Sequence, residues 1–268
     1  MTTTLADEVV TAFRRDGAVV LRGMLTPAEV ALARAGIDEV LARPGALALR
    51  ASRDGDGAFV EDFCRWSDVA AIESVARCSA LPAVASRLMG SATVRLYHDH
   101  VLVKEPGTGQ RTPWHQDQPY YNVDGHQTVS FWLPVDAVPR ASSLELLAGS
   151  HRGPWLMPRT FLAGEAKWFP EGSLVELPDI EADRDAFPIL GWTMEPGDAV
   201  AFDMLTVHGA GGHQGPGHRR VLSLRYTGDD VVHRPRPWPT SPPFPGLEDE
   251  LPDGAALDNP RFPLVWPA

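Results

Sequence analysis

Arg219-Arg220-Val221-Leu222-Ser223-Leu224-Arg225-Tyr226 alternates cleanly between two kinds of face. Successive side chains of a β-strand point to opposite sides, so Arg219, Val221, Ser223 and Arg225 share one face and Arg220, Leu222, Leu224 and Tyr226 the other. Upstream, from about residue 92, further short apolar runs are separated by Gly and Pro: Thr93 to Lys104, Thr128 to Val135, Leu144 to Leu147 and Ala199 to His208. Many short runs with turn signals between them predict an antiparallel β-sandwich or barrel.

The first 90 residues read differently. Leu5, Val9 and Phe13 recur at helical spacing, and one short apolar piece, Ala18-Val19-Val20-Leu21, lies between Gly17 and Gly23. Thr26-Pro27-Ala28-Glu29 joins an N-cap threonine, a proline at the first helical position and a glutamate at the third, which predicts a helix from about Pro27 to Ala42. A second helical stretch from Asp68 to Leu88 is expected to break near Pro82 and to close at Gly90. These helices are expected to buttress the sheet. Between Gly153 and Leu190 strand signals are few while Trp155, Phe161, Trp168, Phe169 and Phe187 accumulate. A segment of that length in a compact domain is usually functional, and it is expected to cover a site. After His233 come ten of the 25 prolines, predicting an extended tail that wraps the surface.

Length and composition bound the class. With 268 residues, 44% hydrophobic and 22% charged, the chain can bury a large core, and residues 1–268 are expected to form one domain. A net charge of -11 without a basic cluster argues against nucleic acid as a partner. No stretch approaches a membrane span, no signal-peptide pattern opens the chain, and Cys64 and Cys78 are the only cysteines, so a cytoplasmic protein is expected. Oligomeric state is not encoded legibly.

Chemistry concentrates in Pro113-Trp114-His115-Gln116-Asp117, which holds the only His-x-Asp of the chain. On a strand, residues two apart face the same way and can share a metal ion. His208 closes another apolar run and offers a third ligand. Two imidazoles and a carboxylate on one face of an octahedron hold Fe(II) and leave three positions open, as oxygen activation requires. Arg219 follows on the next strand, where a guanidinium can take a carboxylate through two parallel hydrogen bonds.

Phe13-Arg14-Arg15-Asp16-Gly17-Ala18-Val19-Val20-Leu21-Arg22-Gly23, Leu102 to Thr108, Trp114 to Asp117, Ala148-Gly149-Ser150-His151, and His208-Gly209-Ala210 followed by Arg219 occur in this order. Together they resemble the phytanoyl-CoA dioxygenase family of iron(II) and 2-oxoglutarate-dependent oxygenases. The resemblance runs from residue 13 to about residue 227. It implies a double-stranded β-helix, or jelly roll, of cupin-like type, with helices packed on the larger sheet. It implies His115, Asp117 and His208 as iron ligands and Arg219 as the clamp on the distal carboxylate of 2-oxoglutarate, with O2 as oxidant. Trp132 matches a tryptophan that lines the co-substrate pocket in relatives, and His98 a polar position that touches 2-oxoglutarate. Relatives often carry a serine where this chain has Ala210, and Ser223 is a substitute for it. Relatives also often carry Asn-Gly where this chain has Ser142-Ser143. The presence of Asp117 argues against halogenation, since halogenases of this kind have Gly or Ala there.

Such an enzyme would oxidise a C–H bond of a small organic molecule while converting 2-oxoglutarate to succinate and CO2. Hydroxylation is the default outcome, with desaturation, cyclisation or epimerisation sharing the same ligands. His100, Gln118, Tyr121, Asn122, Trp155 and Trp168 are candidate substrate contacts, offering stacking and hydrogen bonding without a charged clamp. They favour a specialised metabolite over an acyl-CoA. The rival reading is a cupin-type metalloprotein or sugar-binding module, because His98-Asp99-His100 and Glu105 match His-x-His-x4-Glu.

Overall fold

A computed structural model describes residues 5–51, 56–157 and 169–267. The elements run α1 (Asp7–Asp16), β1 (Ala18–Leu21), α2 (Pro27–Ala42), β2 (Leu49–Ala51), β3 (Phe59–Phe63), α3 (Ala70–Cys78), α4 (Leu81–Met89), β4 (Val94–Lys104), β5 (Thr112–His115), β6 (Val123–Asp124), β7 (Thr128–Pro134), β8 (Leu144–Leu147), β9 (Ile189–Leu190), β10 (Ala199–Phe202), β11 (His208–Ala210), β12 (Arg219–Thr227), β13 (Val232–His233), α5 (Leu247–Glu250) and β14 (Leu264–Trp266). The major sheet is ordered β1-β10-β7-β12-β4-β3-β2, with β14 also on β4. The minor sheet is β5-β11-β8-β9, and β13 pairs with β6. Two facing antiparallel sheets with helices on the outside of the larger one make a jelly roll.

Burial follows the alternation along β12. Leu222, Leu224 and Tyr226 enter a core with Ile37, Ile72, Val75 and Leu88 of the helices, and the Tyr226 hydroxyl donates to Ala76 O at 2.8 Å. Val221 faces the opposite way, into a cluster with Trp132, Leu146 and Phe202 between the sheets. Helix α2 starts as its sequence dictates: Thr26 Oγ1 accepts from Glu29 N at 3.3 Å, and Glu29 Oε2 accepts from Thr26 N at 2.7 Å.

Several expectations need correction. The helix break lies at Ser79 and Ala80, and Pro82 sits in the first turn of α4, where its missing N–H costs nothing. The mostly helical buttress also contributes β2 and β3, which extend the major sheet beyond β4. The run from Ala199 to His208 is two strands in different sheets, β10 in the major and β11 in the minor. The tail is more than a surface strap. Leu247, Leu251, Leu257 and Phe262 are buried in a cluster with Tyr97 and Tyr121, and β14 joins the sheet. Of the expected lid, Phe161 and Trp168 lie outside the described residues.

Candidate metal centre

The corner between β10 and β11 fixes the distal histidine. Gly17, at φ +76°, turns its carbonyl to accept from Asp203 N at 2.9 Å and from the Thr206 hydroxyl at 2.8 Å. A Cβ at Gly17 would stand 2.4 Å from His151 Nδ1, so only glycine fits both the conformation and the space. Val207 N donates to Ser150 Oγ at 2.9 Å. The separate segments around Gly17 and Ser150 thus serve one purpose, to hold the chain that leads into His208.

His208 lies directly opposite His115 in the β11–β5 register. Asp117 lies past the end of β5, in helical backbone at φ -75°, ψ -45°, entering a 3-10 turn. It therefore reaches His115 through a strand end and a turn, not through strand alternation. Asp117 N and Gln118 N both donate to Met204 O, at 2.8 and 3.0 Å. Between the two, Gln116 turns away: its Nε2 donates to Leu205 O at 2.9 Å and Pro154 O at 3.2 Å, and its Oε1 accepts from Leu156 N at 2.7 Å.

The ligand atoms of His115, Asp117 and His208 lie within 4.8 Å of one another. His115 Nδ1 is 2.8 Å from Pro113 O and His208 Nδ1 is 2.9 Å from Thr206 O. Each Nδ1 therefore carries the proton, and each Nε2 presents a lone pair beside Asp117 Oδ1, at 3.6 and 3.7 Å. Burial and the neighbouring His115 push His208 down to about 3, keeping it neutral. Burial alone would raise Asp117, but Arg225 and His208 hold it well below the usual carboxylate range. Two imidazoles that turn Nε2 inward and an ionised carboxylate, converging on one point, suit Fe(II).

A cavity of about 850 Å³, its open mouth included, joins this centre to Arg219, Ser223 and Trp132. Arg219 is 2% exposed, donates from Nη1 to Ser142 O at 2.9 Å, and leaves Nε without a partner. Its guanidinium lies 5.7 Å from the Trp132 ring centroid. Burial lowers it to about 10. Lys104, opposite Arg219 in the β4–β12 register, is also fully buried. Its Nζ donates to Gly211 O at 2.7 Å, and burial followed by Arg219 pushes it down to about 6. A buried guanidinium in the cavity wall, with an unpartnered N–H and no carboxylate paired with it among the described residues, suits a carboxylate that comes from outside the chain.

His100 and Tyr121 also line the cavity, with Phe59, Glu61 and Phe63. His100 stacks on Phe63 at 3.9 Å between centroids and lies 3.5 Å from Glu61. Four other candidates stand outside the lining. His98 is wholly buried beneath it, with Nδ1 3.1 Å from Asp99 O. Gln118 Nε2 donates to Gly125 O at 3.1 Å, bracing a turn. Asn122 accepts from the Tyr97 hydroxyl at 2.8 Å. Trp155 packs on Arg236, 4.7 Å from ring centroid to guanidinium. The cupin set is not brought together either, because Glu105 turns to Arg50 and Ala58 N. Arg225, not singled out in sequence, lies in the site and bonds Asp117. The alternation of β12 already placed it on the Arg219 face.

Solved structures share this fold. SnoK, described as a non-heme alpha ketoglutarate dependent carbocyclase from nogalamycin biosynthesis, is 22% identical with a TM-score of 0.76, covering 98% of both chains. The epimerase SnoN, crystallised with Fe3+, alpha ketoglutarate and nogalamycin RO, is 23% identical with a TM-score of 0.75, covering 97% of this chain and 98% of its own. EctD from S. alaskensis, with 2-oxoglutarate and 5-hydroxyectoine, is 22% identical with a TM-score of 0.70, covering 96% and 87%. The fold is therefore that of the jelly-roll oxygenases. Residues 13–221 match the family described as Phytanoyl-CoA dioxygenase (PhyH), and the chain belongs to that family. A probable phytanoyl-CoA dioxygenase of Caenorhabditis elegans is 30% identical over 156 residues, 55% of this chain. The matched stretch spans 48% of that relative, about half its length.

Proposed function

We propose that residues 1–268 form one catalytic domain, an Fe(II)- and 2-oxoglutarate-dependent oxygenase acting on a C–H bond of a small organic molecule. The observation that carries this reading is the pairing, within one cavity, of the His115–Asp117–His208 cluster with a buried Arg219 that has an unpartnered N–H. Iron would be held by His115 Nε2, Asp117 Oδ1 and His208 Nε2, and would supply the activation of O2 coupled to decarboxylation of 2-oxoglutarate. Arg219 orients the co-substrate by its distal carboxylate. Trp132 and Ser223 shape the same end. The buried walls exclude water from the reacting atoms.

The substrate meets the other wall, where Phe59, Phe63 and His100 offer an aromatic surface with a polar edge. Substrate orientation on this wall decides which bond is oxidised, and thereby whether hydroxylation, desaturation, cyclisation or epimerisation follows. The nogalamycin and ectoine enzymes that share the fold favour a specialised metabolite as substrate. Among the described residues no helix is long and apolar enough to cross a membrane. The cysteines, Cys64 and Cys78, are free, and a cytoplasmic location fits them.

Anaerobic titration of the Fe(II)-loaded protein with 2-oxoglutarate tests the reading. A weak visible charge-transfer band is expected as the chelate forms. Bound iron without a band would overturn it.

A further inference from the structure

Asp117 has two carboxylate oxygens, and they are treated differently. Oδ1 faces the two imidazole Nε2 atoms at 3.6 and 3.7 Å. Oδ2 accepts from Arg225 Nε at 3.2 Å and from Ser130 Oγ at 3.3 Å, and lies 3.1 Å from Arg225 Nη2. The arginine and aspartate side chains are 5% and 6% exposed, so neither has solvent to fall back on. A carboxylate with both oxygens available can bind a metal ion through both and fill a second coordination position. With Oδ2 engaged by the Arg225 guanidinium and the Ser130 hydroxyl, that mode is disfavoured.

We propose, on the reading of this site as a metal centre, that Arg225 is a positioning residue: it occupies Asp117 Oδ2, so that Asp117 ligates through Oδ1 alone and the remaining coordination positions stay open. His98 and Tyr121 hold Arg225 in place. His98 lies opposite Arg225 in the β4–β12 register, its ring meets Tyr121 edge-on at 5.1 Å, and the Tyr121 ring centroid is 5.9 Å from the guanidinium. The conserved geometry of a ligand is often set in this way by the groups behind it.

The test is equilibrium titration of the metal-free protein with Co(II), read by its d–d absorption, for the parent, Arg225→Met, Arg225→Lys and Ser130→Ala. Arg225→Met is expected to weaken Co(II) about 10–100-fold and to change the shape of the spectrum as Asp117 gains a second contact. Lysine keeps the charge but not the fork, so Arg225→Lys is expected to recover part of the affinity, and Ser130→Ala to lose less than either. Far-UV circular dichroism of the metal-free variants controls for folding. If Arg225→Met does not fold, Arg225→Lys carries the test. Parental affinity and spectrum in a folded Arg225 variant overturn the assignment. A parent that binds no Co(II) overturns the metal reading first, and this assignment with it.

Discussion

Arg219 and Arg225 stand on the same face of β12, both fully buried, and the protein treats them in opposite ways. Arg225 is ion-paired with Asp117, to which its Nε donates. Arg219 meets a carbonyl and an aromatic ring and has no carboxylate paired with it among the described residues; each guanidinium keeps one unpartnered N–H, Nε in Arg219 and Nη1 in Arg225. Taking a guanidinium out of water costs several kcal/mol unless an anion meets it. A buried charge that is matched inside the chain is part of the scaffold, and the function proposed above makes the unmatched one a binding site. Two identical side chains six places apart thus mark the fixed and the receptive ends of one cavity.

Breaking the matched end should have the largest effect. Asp117→Ala removes a ligand and strands Arg225, so metal binding should be lost and stability should fall by about 3–5 kcal/mol, measured by metal titration and urea unfolding. Retained stability would show that Arg225 finds another partner. At the receptive end the two losses should separate. Arg219→Met should weaken 2-oxoglutarate by about 30-fold or more, by calorimetry on the metal-loaded protein. The co-substrate-free protein should nevertheless be no less stable, because the depression of Arg219 to about 10 corresponds to a burial cost on the order of 3 kcal/mol. A variant that lost stability as Asp117→Ala does would erase the distinction.

A last test sharpens the same comparison through pH. Lys104 titrates at about 6 against an ordinary 10.5. Between those values the unfolded chain binds a proton that the folded chain does not, so stability rises with pH across this window. Lys104→Met removes that dependence. Without metal or co-substrate it should be the more stable protein at pH 6.5, with the gap narrowing by pH 9.5, followed by thermal melting. A constant gap would place the ammonium in a better solvated setting than its burial implies.

The two ends were not equally legible in the sequence. Alternation along residues 219–226 disclosed which side chains share the cavity, because a period of two is a property of the strand itself. The same periodicity could not say that Asp117 bonds Arg225, since that contact joins distant segments. It also misplaced Asp117 on a strand. The backbone turns helical there because its N–H is taken by Met204 O, a partner that only the folded corner supplies. The run from Ala199 to His208 read as one strand because apolarity continues through Met204, Leu205 and Val207, all buried where the chain passes between sheets. His98 looked equivalent to His100 by spacing. Only the packing of Tyr121 and Arg225 around His98 separates a supporting imidazole from one that lines the cavity.

Gln116 carries a consequence of its own. It sits between His115 and Asp117, and its amide grips Pro154, Leu156 and Leu205. Whatever fixes His115 and Asp117 also fixes the point at which the chain leaves for residue 157. Linkage runs equally in both directions. A ligand that steadies Pro154 and Leu156 would tighten the hold on an ion at His115 and Asp117 by the same free energy with which the ion steadies them, so that the two occupancies become readings of a single equilibrium.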